Sequence, residues 1–191
     1  MIITRAEIRS LIRMTIREAL SQQDLEDVRQ TAHLVHMGQK RRDDTPYISH
    51  PEAVYDITAA FYPGDKPAQM LALLHDTLED AEKAGNVSKA EAYKMIQASI
   101  HDEEKLAQIN NALQLLTHDK SIPYNEYLQS ALFNRLAGRV KISDLIHNLS
   151  HNPSERQIQK YKTALRGIKI PPHISRAQLS ALYKITGDVG E

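Results

Sequence analysis

The sequence has no cysteine among its 191 residues, so disulfides, zinc–thiolate sites and thiol catalysis are excluded. It also lacks net charge: 24 basic residues balance 24 acidic ones, and no overall field favours a nucleic acid or an anionic membrane as partner. Nowhere does an apolar run approach the roughly eighteen residues of a membrane span. The opening segment MIITRAEIRSLIRMTIREAL carries acids and has no apolar centre of the kind an export signal needs. Together these absences lead to the expectation of a soluble, cytoplasmic protein that is neither nucleic-acid-binding nor membrane-bound. Glycine is scarce, at seven residues, and β-branched runs are short. No strand, repeat or low-complexity tract stands out.

What is present is helical periodicity, with apolar residues recurring every three or four positions. The expected fold is all-α, a single domain over residues 1–191. Residues 4 to 20 read as a first helix with Ile8, Leu11, Ile12 and Ile16 inward, a stripe that reads as core or, alternatively, as the face of a homo-oligomer. Ser21 and Asp24 resemble an N-cap arrangement opening a second helix to about Lys40. A polar loop with Arg41 and Arg42 ends at Pro46, and Pro51 suits the first turn of a helix reaching about Phe61, with Ser49 or His50 as its cap. A helix from about Lys66 to Lys83 follows, closed by Gly85; Ser88 caps the next, and another covers 102 to 116. From Pro123 to about His151 the pattern fits one long helix or a pair broken at Gly138. Helices from Pro153 to about Ile168 and from Ser175 to Ile185 complete the chain.

The chemistry concentrates at His75-Asp76-Thr77-Leu78-Glu79-Asp80, just after the apolar run Met70 to Leu74. On a continuous helix His75 stacks with Glu79 and Asp76 with Asp80. Three carboxylates and an imidazole at one turn, with no lysine or arginine interleaved, call for a cation. His50 and Asp144 are further candidate ligands. Two imidazoles and two carboxylates suit a borderline-hard divalent ion such as manganese, with positions open for water and substrate. Glu79 and Asp80, one turn beyond, are placed to orient that water or carry its proton.

The ordered blocks AHLVHMGQKRRDDTPYISHP, LLHDTLED and VKISDLIHN resemble the hydrolase domain of RelA/SpoT-type alarmone enzymes, within the HD phosphohydrolase superfamily, and in particular the free-standing small alarmone hydrolases. The resemblance covers about residues 28–165, leaving the helix at 4–20 and the tail at 171–191 as additions, and it includes no synthetase domain. It implies an HD-type helical bundle with a buried metal site. It further implies His50, His75, Asp76 and Asp144 as Mn2+ ligands, and Glu79 and Asp80 as the catalytic acidic pair. Arg41 and Arg42 would pack over the base and hold phosphates, and Asn148 would contact the nucleoside. The implied substrate is a purine nucleotide with a 3′-pyrophosphate, ppGpp or pppGpp, cut to GDP or GTP plus pyrophosphate.

The chain departs from the family pattern where the base and phosphates are read. Arg42 stands for the usual Lys, Asp-Leu-Ile-His-Asn for Asp-Arg-Leu-His-Asn, and Leu-Ser-His for Met-Arg-Thr. Adenosine analogues such as ppApp are therefore a second substrate expectation. An HD-type nucleotidase or dNTP phosphohydrolase and a non-catalytic nucleotide-binding module are the alternatives. Each residue also has a plainer reading: His50 as a helix cap, Glu79 and Asp80 as a solvated face, Arg41 and Arg42 as a polar loop, Asn148 as a buried amide. His36 and His147 read as packing residues or as partners behind the ligands.

Overall fold

The computed structural model describes residues 3–83 and 87–187, and among these the only regular elements are helices. In order they are α1 (Arg5–Val35), α2 (Ser49–Phe61), α3 (Lys66–Leu74), α4 (Thr77–Asp80), α5 (Lys89–Ala98), α6 (Glu103–Leu116), α7 (Tyr124–Phe133), α8 (Arg135–Ser150), α9 (Glu155–Leu165) and α10 (Arg176–Thr186). Gly85, expected to close the third of the sequence-read helices, lies outside the described residues. No helix among the described residues is long and apolar enough to cross a membrane.

Two helices form the centre. From Ala68 to Leu74 every residue of α3 is buried, so this helix is apolar nearly all round and must be surrounded. It packs against α1, α2, α6 and α8. The second, α8, touches α2, α3, α6, α7, α9 and α10. One face of α8 closes the core built on α3, through Ala137 and Val140. Its other face, with Ile142, Leu145, Ile146 and Leu149, closes a second core against α7, α9 and α10. α2, α3 and α8 thus pack on one another, and residues at their shared end meet. The described tail, from Pro171 to Gly187, is part of this body. Gln178 of α10 is buried and donates to Arg139 O at 2.8 Å and Ser143 Oγ at 2.9 Å, and Ser143 in turn accepts from Thr58 of α2.

Three local expectations need correction. The first two sequence-read helices are one, Arg5–Val35, because no proline or glycine interrupts them and the real cap is Thr4, which shares a capping box with Glu7. Ser21 and Asp24 are buried instead of starting a helix. Asp24 accepts from the backbone N–H (3.1 Å) and Nδ1 (2.9 Å) of His101 and from Lys105 Nζ (3.4 Å), docking α1 on the turn before α6. N-terminal to Ser21 the helix leaves the body, so Ile8, Leu11, Ile12 and Ile16 are not inward but 46–54 % exposed. Their periodicity reported an amphipathic helix without telling whether anything covers it. Finally, the long segment from Pro123 is a broken pair, but the break is at Asn134. Its side chain accepts from Leu136 N and Ala137 N and starts α8. Gly138 lies inside α8, where a Cβ would sit 2.7 Å from the Leu132 carbonyl oxygen.

Candidate metal centre

The helix expected to run through His75 stops there. α3 ends at Leu74, His75 and Asp76 form the turn, and α4 resumes at Thr77. This break lets both side chains face inward at the end of the buried helix. His50 enters from the first turn of α2, whose cap position is Ile48 and carries no side-chain cap, so His50 is not the capping residue. Asp144 enters from the middle of α8. His50, His75 and Asp144 are buried, and Asp76 is partly so.

Their polar atoms converge. His50 Nε2 lies 3.2 Å from His75 Nε2, 3.4 Å from Asp76 Oδ2 and 3.3 Å from Asp144 Oδ1. His75 Nε2 is 3.2 Å from Asp76 Oδ2 and 3.8 Å from Asp144 Oδ1. The donor atoms of His50, His75 and Asp76 all fall within 4.8 Å of one another. His75 Nδ1 donates to the Ala72 carbonyl at 2.8 Å, so in neutral imidazole the lone pair is on Nε2, facing the other three residues. Two imidazole nitrogens and an Asp76 oxygen in one group, with an Asp144 oxygen beside both imidazoles, fit a divalent ion of mixed nitrogen and oxygen preference.

Partners behind these groups hold them. Tyr47 donates its hydroxyl to Asp76 Oδ2 at 2.6 Å. Lys141 Nζ binds Asp144 Oδ2 at 2.8 Å, and Asn148 Nδ2 donates to Asp144 Oδ1. His147, three residues after Asp144, places its Nδ1 2.8 Å from Nδ1 of His50. Charge states follow from these contacts. Burial opposes the charged form of His50, but hydrogen bonds and charge from Asp144 and Asp76 outweigh it and push its pKa up to about 9. Burial likewise disfavours ionised Asp144, yet Lys141, His50 and His75 hold it below the usual carboxylate range. His147 is pushed down to about 3, by burial and then by the charges of His50, His151 and Arg41.

His50, His75, Asp76 and Asp144 line a cavity of about 550 Å³, the size of a nucleotide-scale ligand site. Arg41, Arg42, Glu79 and Asn148 line it too. Arg41 and Arg42 stand on a tight loop held by Arg41 N to Thr45 O (2.9 Å) and Tyr47 N to Gln39 O (2.9 Å), with Asp44 at φ 62°. Glu79 is exposed on the cavity side. Asp80 is buried behind it, pairs with Lys83 and is not among the lining residues; its carbonyl accepts from Gln39 Nε2 at 2.8 Å. As neighbours on α4 the two acids point about 100° apart, so one faces the cavity and the other the interior.

Sequence reasoning missed a cationic and aromatic wall: Lys141, Lys160, Tyr124, Tyr127 and Tyr161. Lys160 Nζ sits 3.8 Å from the Tyr124 ring centroid, and no carboxylate pairs with it among the described residues. The Tyr124 hydroxyl is buried without a partner. Lys141 could have been found from its i, i+3 spacing to Asp144; the wall residues come from three helices and carry no local signal.

No protein-family model matches the chain. Over 66 residues, 34 % of its length, the chain is 46 % identical to a GTP pyrophosphokinase of Streptomyces coelicolor, and over an equal stretch 44 % identical to a GTP pyrophosphokinase of Streptomyces antibioticus. It spans about 8 % of the length of either relative.

Proposed function

We propose that this protein is a Mn2+-dependent pyrophosphohydrolase that removes the 3′-pyrophosphate from a purine nucleotide of the (p)ppGpp type, releasing GDP or GTP. The observation that carries this reading is the convergence of His50, His75, Asp76 and Asp144 at one end of a cavity whose other walls are rich in cations. The similarity to proteins named for transfer of pyrophosphate to GTP supports the substrate class, since both reactions concern a guanine nucleotide and a pyrophosphoryl group. (p)ppApp is the variant substrate, because the sequence departs from the RelA/SpoT pattern at base-contacting positions.

In this reading His50, His75, Asp76 and Asp144 would hold the ion, which would supply Lewis acidity for the phosphoryl group and for a water. Glu79, exposed on the cavity side, takes the proton as water adds to the phosphorus on the 3′ oxygen. The P–O3′ bond breaks, the ribose keeps its 3′ oxygen and gains a proton, and pyrophosphate leaves. Asp80, in its pair with Lys83 behind Glu79, fixes the turn that presents Glu79. Arg41, Arg42 and Lys160 hold phosphate oxygens. Asn148 gives one amide N–H to Asp144, which leaves its second N–H and its carbonyl oxygen for the nucleoside.

Purified protein with Mn2+, given ppGpp and ppApp separately, tests this by anion-exchange analysis of products. Pyrophosphate with the matching diphosphate supports the proposal and names the base. Inorganic phosphate would identify a nucleotidase instead, and tight binding without products a nucleotide-binding module.

A further inference from the structure

His147 is buried at 4 % exposure and is given no task by the chemistry above. Its surroundings are specific. Its Nδ1 lies 2.8 Å from Nδ1 of His50. On the other side its ring stacks on His151, with centroids 4.1 Å apart and planes at 28°, and His151 Nδ1 donates to the His147 carbonyl at 3.0 Å. The ring is thus clamped between a proposed ligand and the end of α8.

A contact between two imidazole nitrogens needs one donor and one acceptor. If Nδ1 of His50 were the acceptor, the proton of neutral His50 would sit on Nε2, the nitrogen that faces His75, Asp76 and Asp144. A ligand nitrogen must instead be free of a proton. His50 can present a lone pair on Nε2 only if its Nδ1–H is donated backwards. His75 does this through the Ala72 carbonyl. For His50 the corresponding acceptor is His147.

We propose that His147 is a positioning residue for the metal centre: its Nδ1 accepts from His50 Nδ1–H and fixes the His50 tautomer and ring orientation that aim Nε2 at the ligand cluster. His147 therefore carries its own proton on Nε2 and is not a ligand. The three-residue spacing makes this economical, since one turn of α8 supplies both Asp144 and the group behind His50. The inference rests on the metal site of the reading above, not on its substrate.

Two near-isosteric variants separate hydrogen bonding from packing. His147→Asn keeps an acceptor oxygen close to the place of Nδ1; His147→Leu has a similar shape without one. Both lose the ring stack on His151. Titration of Mn2+ by calorimetry is expected to give His147→Asn within about threefold of the wild type and His147→Leu about 10- to 100-fold weaker. Equal weakening of both, or none in either, overturns the proposal. Nitrogen NMR of 15N-histidine-labelled wild-type protein without metal provides a readout that needs no variant to fold. His147 Nδ1 is expected as an unprotonated imidazole nitrogen bonded to the His50 proton, and a proton resident on His147 Nδ1 refutes it. Neither readout uses turnover, so absent hydrolysis would sink the proposed activity and leave this inference standing.

Discussion

Replacing Gly138 by alanine should destabilise this protein, against the usual sign for a helix interior. Gly138 lies near the start of α8, and glycine inside a helix forfeits about 0.8–1.0 kcal/mol relative to alanine. Propensity alone therefore forecasts a gain. The added Cβ, however, would lie 2.7 Å from the Leu132 carbonyl oxygen, 3.2 Å from its carbonyl carbon and 3.1 Å from Ile174 Cδ1. The methyl of Ile174 can move, but Leu132 O belongs to the last turn of α7 and is also the acceptor for His173 Nε2 at 2.9 Å. Relief then requires α8 to separate from α7, at an overpacking cost of about 1–3 kcal/mol that outweighs the propensity gain. The net expectation is a loss of up to about 2 kcal/mol, which for a chain of this length lowers Tm by up to roughly 8 °C. Circular dichroism melts and urea titrations of the wild type and Gly138→Ala measure it. Equal or greater stability of the variant would mean that α7 and α8 do not approach as closely as described. Because α8 carries Lys141, Asp144, His147 and Asn148, that result would also unsettle the site.

Further expectations concern protons, the two acids and the N-terminal helix. In metal-free protein His50 keeps its extra proton up to about pH 9, so a metal must displace it. Mn2+ affinity should rise with pH by about tenfold per unit for each proton released, levelling above 9; a flat profile between pH 6 and 9 would contradict the site. Glu79→Gln should cut turnover about 10²- to 10⁴-fold with Mn2+ affinity nearly unchanged, as steady-state rates and calorimetry would register. Asp80→Asn breaks the pair with Lys83 but touches no cavity surface, so its turnover should fall far less; equal losses in the two variants would contradict the separate placement of these acids. Deleting residues 1–19 removes helix surface that is exposed at every described position from 3 onwards, and a melt should shift by less than about 2 °C. A large shift would show that this segment is covered in solution.

Much of the fold was legible because its signals are local. Ser88 with Glu91, Asp102, Ser154 and Ser175 cap helices at or beside the starts read from the sequence, and the all-apolar run at Met70–Leu74 reads directly as a buried helix. The proposed ligands were legible as types in order, and the structure brings all four together. What sequence could not give was decided by long-range contact. The Ile8–Ile16 stripe has the period of a buried face and lacks a neighbour among the described residues. Glu79 and Asp80 are neighbours on α4 and point about 100° apart, and the packing around α4 decides which of them is buried. Lys160 and Tyr124 reach the cavity from helices whose only link to it is tertiary.

The most direct test of the proposed chemistry is hydrolysis of ppGpp in H₂¹⁸O with Mn2+, following both products by mass spectrometry. Attack at the phosphorus on the 3′ oxygen places one ¹⁸O in pyrophosphate and none in GDP, and the reaction should vanish on chelation and in Asp76→Asn. Release of inorganic phosphate, label in the nucleotide, or an unchanged rate in Asp76→Asn would contradict it.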